Sequence, residues 1–380
     1  MFKDLLGDTL QTMLETEMDD HLGYSKYDYK NKDTDDSRNG YSKKIVTSTM
    51  GNIALDIPRD RKGEFHPQAV KKNQTDVSNI EDQVLSMYAK GMTTRDITAH
   101  LKEIYGVDAS AEMISRMTER ILPIAKQWQN RPLAKKYTIV FMDAVHFHVR
   151  QDQVVKKAVY VAIGTRLDAS VRFLGLWIGG NESAKYWIGI LNEIRNRGTE
   201  DIFIISVDRL AGFADAIGTV YPEAEVQRCI VHQIRYTTKF VYYKDMKPFV
   251  QDLKEIYQAP TLEQAEVALD ALEEKWNDKY PSSVQSWRNN WPQLSTYFKY
   301  PLEIRKMIYT TNQIENFNRQ LRKVSKNRTI FPTDDSLFKL LYLATIEITK
   351  KWSGRNRAWN KIISQLCIYF DNRIEPADLE

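Results

Sequence analysis

The stretch YTIVFMD at residues 137–143 decides the fold. It is a nearly continuous apolar run, rich in β-branched and aromatic side chains, that stops at a carboxylate, Asp143. A run of this length and composition reads as a buried strand. Working outward, KAVYVAIG at 157–164 and VRFLGLWI at 171–178 are two further strands joined by a turn at 166–170. Residues 182–197 place Tyr186, Ile190, Leu191 and Ile194 on one helical face. DIFIISVD at 201–208 is a fourth strand, again stopping at a carboxylate, Asp208. A helix over 212–220 and a fifth strand over 224–231 come next. Three consecutive strands, then helix, strand, helix and strand, predict an α/β fold with a mixed sheet flanked by helices.

Upstream, residues 1–24 read as a helix with Leu5, Leu6, Leu10, Met13 and Leu14 on one side. A polar loop leads into a hairpin over 39–61 turning at Met50-Gly51-Asn52. RDRKGEFHPQAVKK at 59–72 brings together Arg59, Arg61, Lys62, Lys71 and Lys72. It is either a solvated loop or an arm that contacts phosphates. Residues 76–121 hold three short helices with a glycine-bearing turn before the last, the pattern of a helix-turn-helix and equally of a plain bundle. In the former, 110–120 is the recognition helix, with Ser115, Arg116, Thr118 and Glu119 outward.

Downstream, 232–300 is helical and contains Trp276, Trp287 and Trp291, which read as core residues, with base stacking the alternative. YTTNQIENFNRQLRKVSKNR at 309–328 is a helix with an apolar stripe at Ile314, Phe317, Leu321 and Val324. Asn312 can cap it, and Glu315 stands where a capping box puts its acid. Arg319, Arg322, Lys323, Lys326 and Arg328 make the rest of this helix and its exit strongly basic. A long apolar-faced helix over 335–351 precedes a helical tail.

The 380 residues contain no apolar run near the roughly 20 that a membrane helix needs, and the first 24 lack a signal-peptide core. A cytoplasmic, nucleoid-associated protein is expected, with no membrane partner. Cys229 and Cys367 cannot make a disulfide framework. The net charge of +4 leans toward a polyanion.

If the strands that end in Asp143 and Asp208 are neighbours, two carboxylates meet at one site. They then share a proton or hold cations. Hard oxygen ligands favour Mg²⁺ or Mn²⁺, and a third acid from a packed helix, Glu315, would complete a two-ion site for phosphoryl transfer. The alternative makes each aspartate a cap of the following segment and Glu315 a helix cap paired with Arg319. Cys229 and His232 have the spacing of half a metal site, but no second pair accompanies them. They are expected to orient the wall of the site. His146 and His148 face one side of an extended segment, where they approach DNA phosphate or make ordinary hydrogen bonds.

The motifs RNGYSKK (38–44), GNIALDIPRDRKGEF (51–65), MYAKGMTTRDI (87–97), FMDAVHFHVR (141–150), LGLWIGGNESAKYW (174–187), VQRCIVHQIR (226–235) and IRKMIYTTNQIENFNRQLRK (304–323) give the chain its family character. In this order they closely resemble the mutator-type transposases, the IS256 family of bacterial insertion sequences. The resemblance runs from residue 21 to the C-terminus. It implies a ribonuclease-H-like catalytic domain interrupted by an all-helical insertion, after an N-terminal helix-turn-helix region. The expected divisions are an N-terminal helix, hairpin and basic arm over 1–74 and the helix-turn-helix domain over 75–131. The catalytic domain takes 132–232 and 303–380, with the insertion over 233–302. The family's acidic triad falls on Asp143, Asp208 and Glu315, with two Mg²⁺ or Mn²⁺ ions. His146 lies in a family motif as a supporting group, and Cys-x₂-His is a family signature. The implied activity is metal-dependent strand cleavage and strand transfer at terminal inverted repeats. Double-stranded DNA and a second copy of the chain are the implied partners. The alternative is a catalytically defective DNA-binding copy or repressor. The chain departs from the family at Arg209 and Ala211, where glycine and lysine are usual, and at Asn316, where serine is.

Overall fold

In the computed structural model, residues 2–28, 30, 32–48, 51–72, 78–105, 109–180, 184–208, 212–309, 312–352 and 358–378 are described. The run at 137–143 belongs to a longer strand, β3 (Lys136–Arg150), flanked on one side by antiparallel β4 (Val154–Thr165) and then β5 (Val171–Gly179). On its other side β6 (Asp201–Val207) runs parallel, and β7 (Glu225–Arg228) runs parallel to β6. The order β5-β4-β3-β6-β7 makes the expected mixed sheet of an α/β unit.

Two boundaries differ from the sequence reading. β3 does not stop at Asp143, because residues 144–150 go on pairing with β4 as far as Arg150 and Val154. Val145, Phe147 and Val149 turn inward while His146, His148 and Arg150 stay exposed, and that alternation sustains the strand. What ends at Asp143 is the pairing with β6, whose last partners are Met142 and Val207. The fifth strand is shorter than read, since α8 (Ile230–Thr238) begins two residues after Arg228.

One face of the sheet is covered by α6 (Ala184–Asn196) and α7 (Phe213–Val220). Val140, Met142, Tyr160, Ile205 and Val207 pack there with Trp187, Leu191, Phe213 and Ile217. The other face receives α13 (Asn312–Ser325), which buries Ile314, Phe317 and Leu321. The Phe317 ring lies 5.0 Å from Phe173 and 5.8 Å from Trp352. Burial of one such ring contributes about 2–3 kcal/mol and fixes the rotation of the helix.

Between β7 and α13 come α8, α9 (Tyr243–Tyr257), α10 (Leu262–Trp276), α11 (Pro281–Leu294) and α12 (Leu302–Ile308). Trp276 and Trp287 of this segment are buried core residues, whereas Trp291 is only half-buried. Trp287 is fully buried and donates to Thr237 Oγ1 at 3.0 Å; Trp276 donates to Asp252 Oδ2 at 2.6 Å; Trp291 donates to Glu266 Oε1 at 3.3 Å. After α13 come α14 (Asp334–Thr349) and α15 (Trp359–Tyr369).

The chain divides into two units: residues 1–125, 324–329 and 335–344, and residues 126–323, 330–334 and 345–380. In the first unit, α1 (Phe2–Leu22) lays Leu10, Met13 and Leu14 over the hairpin of β1 (Arg38–Ser48) and β2 (Gly51–Asp60). The side chains of Leu5 and Leu6 lie outside the described residues, as do Met50 and the turn at 106–108. Helices α2 (Ser78–Ala89), α3 (Thr94–Tyr105) and α4 (Ala111–Glu119) pack on one another, and α5 (Ile121–Gln129) follows in the chain. Thr93 and Asp96 cap α3 reciprocally, at 3.0 and 3.1 Å, and the Ser110 hydroxyl caps α4. After α2, Gly91 has φ +93° and lies against the backbone of Val324. Beside it, Arg328 donates to the Met92 carbonyl and lies over the Tyr88 ring, 4.0 Å away.

Candidate active site

β3 and β6 stay in register to Met142 and Val207, so the next residue on each strand is an aspartate, Asp143 and Asp208. Asp143 is only 7% exposed. Its Oδ1 accepts from the Ala144 N–H at 2.8 Å and its Oδ2 from the Asn318 amide at 2.6 Å. Burial, and after it the Asp208 charge, pushes its pKa up to about 6; His232 and the two hydrogen bonds pull the other way.

His232 sits between the other two acids, with Nδ1 3.4 Å from Asp208 Oδ1 and Nε2 3.2 Å from Glu315 Oε1. Burial works against its charge, but the hydrogen bond with Cys229 and the Asp208 and Asp143 carboxylates push its pKa up to about 9. At neutral pH it is an imidazolium between two carboxylates. Cys229 is buried, and its backbone N–H extends the sheet to Val207 O at 2.9 Å. That bond anchors the start of α8 and so the direction of His232.

Glu315 lies in the first turn of α13, part-buried. Its Oε1 is also 2.5 Å from Arg235 Nη1, and its Oε2 is 3.5 Å from Nη2. The pair with Arg319 that the capping alternative calls for does not form; Arg319 donates instead to Asn316 Oδ1 at 3.1 Å. The helix already begins at Asn312, so the residue before it, where a cap would act, lies outside the described residues, as do Arg209 and Ala211.

The three acids are thus gathered around His232 and Asn318. They do not yet form one ligand set. Among the described residues, the one His/Cys/Asp/Glu group with ligand atoms all within 4.8 Å of one another is His21, Asp36 and Asp60, in the first unit. Sequence reasoning missed Arg235 and Asn318. Arg235 comes three residues after His232, as His232 does after Cys229, so all three fall toward one side of α8. Asn318 comes four residues after Ile314 and three before Leu321, which puts it on the apolar stripe, and is 1% exposed. A buried amide in an apolar stripe is the signal for it.

The remaining candidates are more scattered. His146 and His148 are exposed and lie beyond Asp143 along a β3 whose register with β4 is unbroken, three and five residues on, so strand parity puts them on the opposite face of the sheet. Arg59, Arg61, Lys62, Lys71 and Lys72 are exposed. Together with Lys44, Arg59, Arg61, Lys62 and Lys72 line a groove of about 430 Å³. Arg116 is exposed and Ser115 half-buried, but Thr118 faces inward, 1% exposed, with its hydroxyl on Ser115 O. Arg319, Arg322, Lys323 and Lys326 are exposed on α13 and just past it, whereas Arg328 is half-buried against Met92 and Tyr88. Among the described residues no helix is long and apolar enough to cross a membrane.

Comparison with known proteins bears on the whole chain. The family model for mutator-family transposases matches residues 1–354. The probable transposase for insertion sequence element ISRM3-like of Sinorhizobium fredii is 41% identical over 375 residues, 98% of this chain and 93% of that one. The transposase for insertion sequence element IS256 in transposon Tn4001 of Staphylococcus aureus is 25% identical over 363 residues, 94% and 92% of the two chains. A solved Drosophila P element transposase strand transfer complex aligns over 79% of this chain and 87% of that one with a TM-score of 0.29 and 9% identity, too slight a likeness to carry an argument. The chain belongs to the mutator family of transposases.

Proposed function

We propose that the chain is a DNA transposase whose catalytic carboxylates are Asp143, Asp208 and Glu315. The observation that carries this reading is the register of β3 and β6, which brings two aspartates to neighbouring strand positions, with Glu315 tied to Asp208 through His232. The sheet supports a ribonuclease-H-like domain. Its first strand is central, with two antiparallel strands on one side and two parallel strands on the other. On this reading the helices from 233 to 302 are an insertion into that domain.

The residues fit divalent cations of the Mg²⁺ or Mn²⁺ class. The donors are hard oxygens, the Asp143 carboxyl is driven up by burial and by a like charge beside it, and Asn318 Oδ1 is buried without a hydrogen-bond partner. Two such ions would activate the attacking hydroxyl and stabilise the leaving oxygen of a phosphoryl transfer. The chain's own residues do the rest. Ala144 and Asn318 fix the Asp143 carboxylate. Ile314, Phe317 and Leu321 fix the helix that delivers Glu315. His232 offsets the charge of Asp208 and Glu315. Arg319, Arg322 and Lys323 supply exposed cations for backbone phosphates on the same helix. Arg59, Arg61, Lys62, Lys71, Lys72 and the Arg116 side of α4 would bind the terminal inverted repeats. Joining two ends requires a dimer or larger assembly.

The test is incubation with inverted-repeat DNA and Mg²⁺ or Mn²⁺. Nicked and joined products are expected, and Glu315→Gln should lose both while binding DNA within about twofold of wild type. Binding without nicking would mark a defective copy, and nicking without joining a nuclease. Arg235 holds Glu315 from a largely exposed position, so the pair is worth no more than about 1 kcal/mol. Arg235→Ala should therefore tighten Mn²⁺ binding by up to about fivefold in calorimetric titration. Weaker binding would show that Arg235 orients Glu315 rather than competing for it.

A further inference from the structure

Away from the carboxylates discussed so far, the first unit holds a second polar cluster. It forms where α1 ends, β1 begins and β2 ends: His21, Asp36 and Asp60. Asp36 is 6% exposed and Asp60 5%, while His21 keeps about a third of its side chain in solvent. One ligand atom from each lies within 4.8 Å of the others, and His21 Nε2 stands 3.8 Å from Asp60 Oδ2. That separation is too long for a hydrogen bond and suits two ligands of one ion.

The two oxygens of Asp36 are treated differently. Its Oδ1 accepts from three backbone N–H groups, those of Ser37 at 2.7 Å, Arg61 at 3.1 Å and Lys62 at 3.2 Å. Its Oδ2 is buried and has no hydrogen-bond partner. Asp60 Oδ2 accepts from the Glu64 N–H at 2.7 Å. Asp36 is therefore pinned through Oδ1 while its Oδ2 stays without a hydrogen-bond partner, and Asp60 is held by the Glu64 N–H, as ligands in a metal site are held by an ordered outer shell. Two buried carboxylates side by side, here close enough for Asp60 to take a side-chain hydrogen bond from Asp36, either share a proton or hold a cation between them.

We propose that His21, Asp36 and Asp60 bind one divalent transition-metal cation of the Zn²⁺ class. The imidazole selects Zn²⁺ over Mg²⁺, and the partial exposure of His21 leaves a position for water. The site would brace the base of the basic arm, because Arg61 and Lys62 are pinned through their backbone N–H groups to Asp36 Oδ1. It shares no residue with the candidate active site and does not rest on the proposed activity.

The experiment compares metal-stripped full-length wild type, Asp36→Asn and His21→Ala by Zn²⁺ calorimetry and thermal unfolding. Wild type should bind one more Zn²⁺ than either variant. Zn²⁺ at about 100 times Kd should raise its melting temperature by ~5 °C, an increment both variants lose. Any Zn²⁺ held at the Asp143 site is common to all three proteins and cancels in the difference. His21 is the most exposed of the three, so His21→Ala keeps the test valid if Asp36→Asn fails to fold. Equal stoichiometry in wild type and His21→Ala would overturn the proposal. So would a Zn²⁺ increment that His21→Ala retains.

Discussion

Asp143→Asn should abolish strand cleavage and at the same time stabilise the metal-free protein at pH 8. On the proposed function, the loss of activity comes from removing one of the carboxylates that would hold the cations. Several kilocalories of transition-state stabilisation go with it, a rate loss of about 10³-fold or more. The gain in stability comes from the same carboxylate. Its pKa is pushed from 3.8 to about 6, so the folded state favours the neutral form. That preference aids folding below about pH 4 and is lost as pH rises through 6. At pH 8 the buried charge therefore opposes folding, by up to about 3 kcal/mol for two pKa units. Asparagine removes the charge and keeps the shape. The Asn318 amide, whose Oδ1 has no partner, can turn to accept from the amide that replaces the carboxylate. Melting temperatures in chelator should favour the variant at pH 8 and converge toward pH 4. Added Mn²⁺ should raise the wild type alone at the site. A variant less stable than wild type at pH 8 would mean that Asp143 is a structural hydrogen-bonding residue.

Gly91→Ala should destabilise the first unit by about 3 kcal/mol or more. A Cβ at Gly91 would stand 1.9 Å from the Val324 carbonyl oxygen and 2.9 Å from its carbon. The obstacle is backbone, and Ser325 and Arg328 just beyond it are anchored, so it cannot swing aside as a flexible side chain would. The φ of +93° adds strain of its own, about 1–3 kcal/mol for a residue with a Cβ. A urea unfolding curve gives the answer; a midpoint unchanged from wild type would show that the close approach does not persist in solution.

The large sheet was legible because its strands are buried on both faces and read as unbroken apolar runs. The neighbourhood of the candidate site was legible only in part. Asp143 and Asp208 announce themselves by ending apolar runs, but their adjacency depends on which strands pair, and pairing is not local. The true length of β3 was missed because alternation beyond Asp143 looks like a separate segment until β4 is known to run alongside it. His146 illustrates the same limit: its place in a family motif suggested a supporting group of the site, and strand parity puts it on the face opposite Asp143. Thr118 was read as outward on a helix whose inner face is set by α3, which periodicity over nine residues defines only loosely. The Arg235 and His232 contacts with Glu315 span roughly eighty residues of chain, with helices α9 to α12 between, and no local rule reaches that far.

The central claim, that these carboxylates hold the cations that act on the scissile phosphate, is tested most directly by a metal-specificity switch. Inverted-repeat DNA would carry a single phosphorothioate, a non-bridging sulfur, at the cleavage position. Magnesium coordinates sulfur poorly and manganese accepts it. Wild-type protein should cut the sulfur substrate at least about tenfold more slowly than the oxygen substrate in Mg²⁺ and regain most of that loss in Mn²⁺. Equal cleavage of both substrates in Mg²⁺, or a sulfur block that Mn²⁺ leaves untouched, would contradict the account.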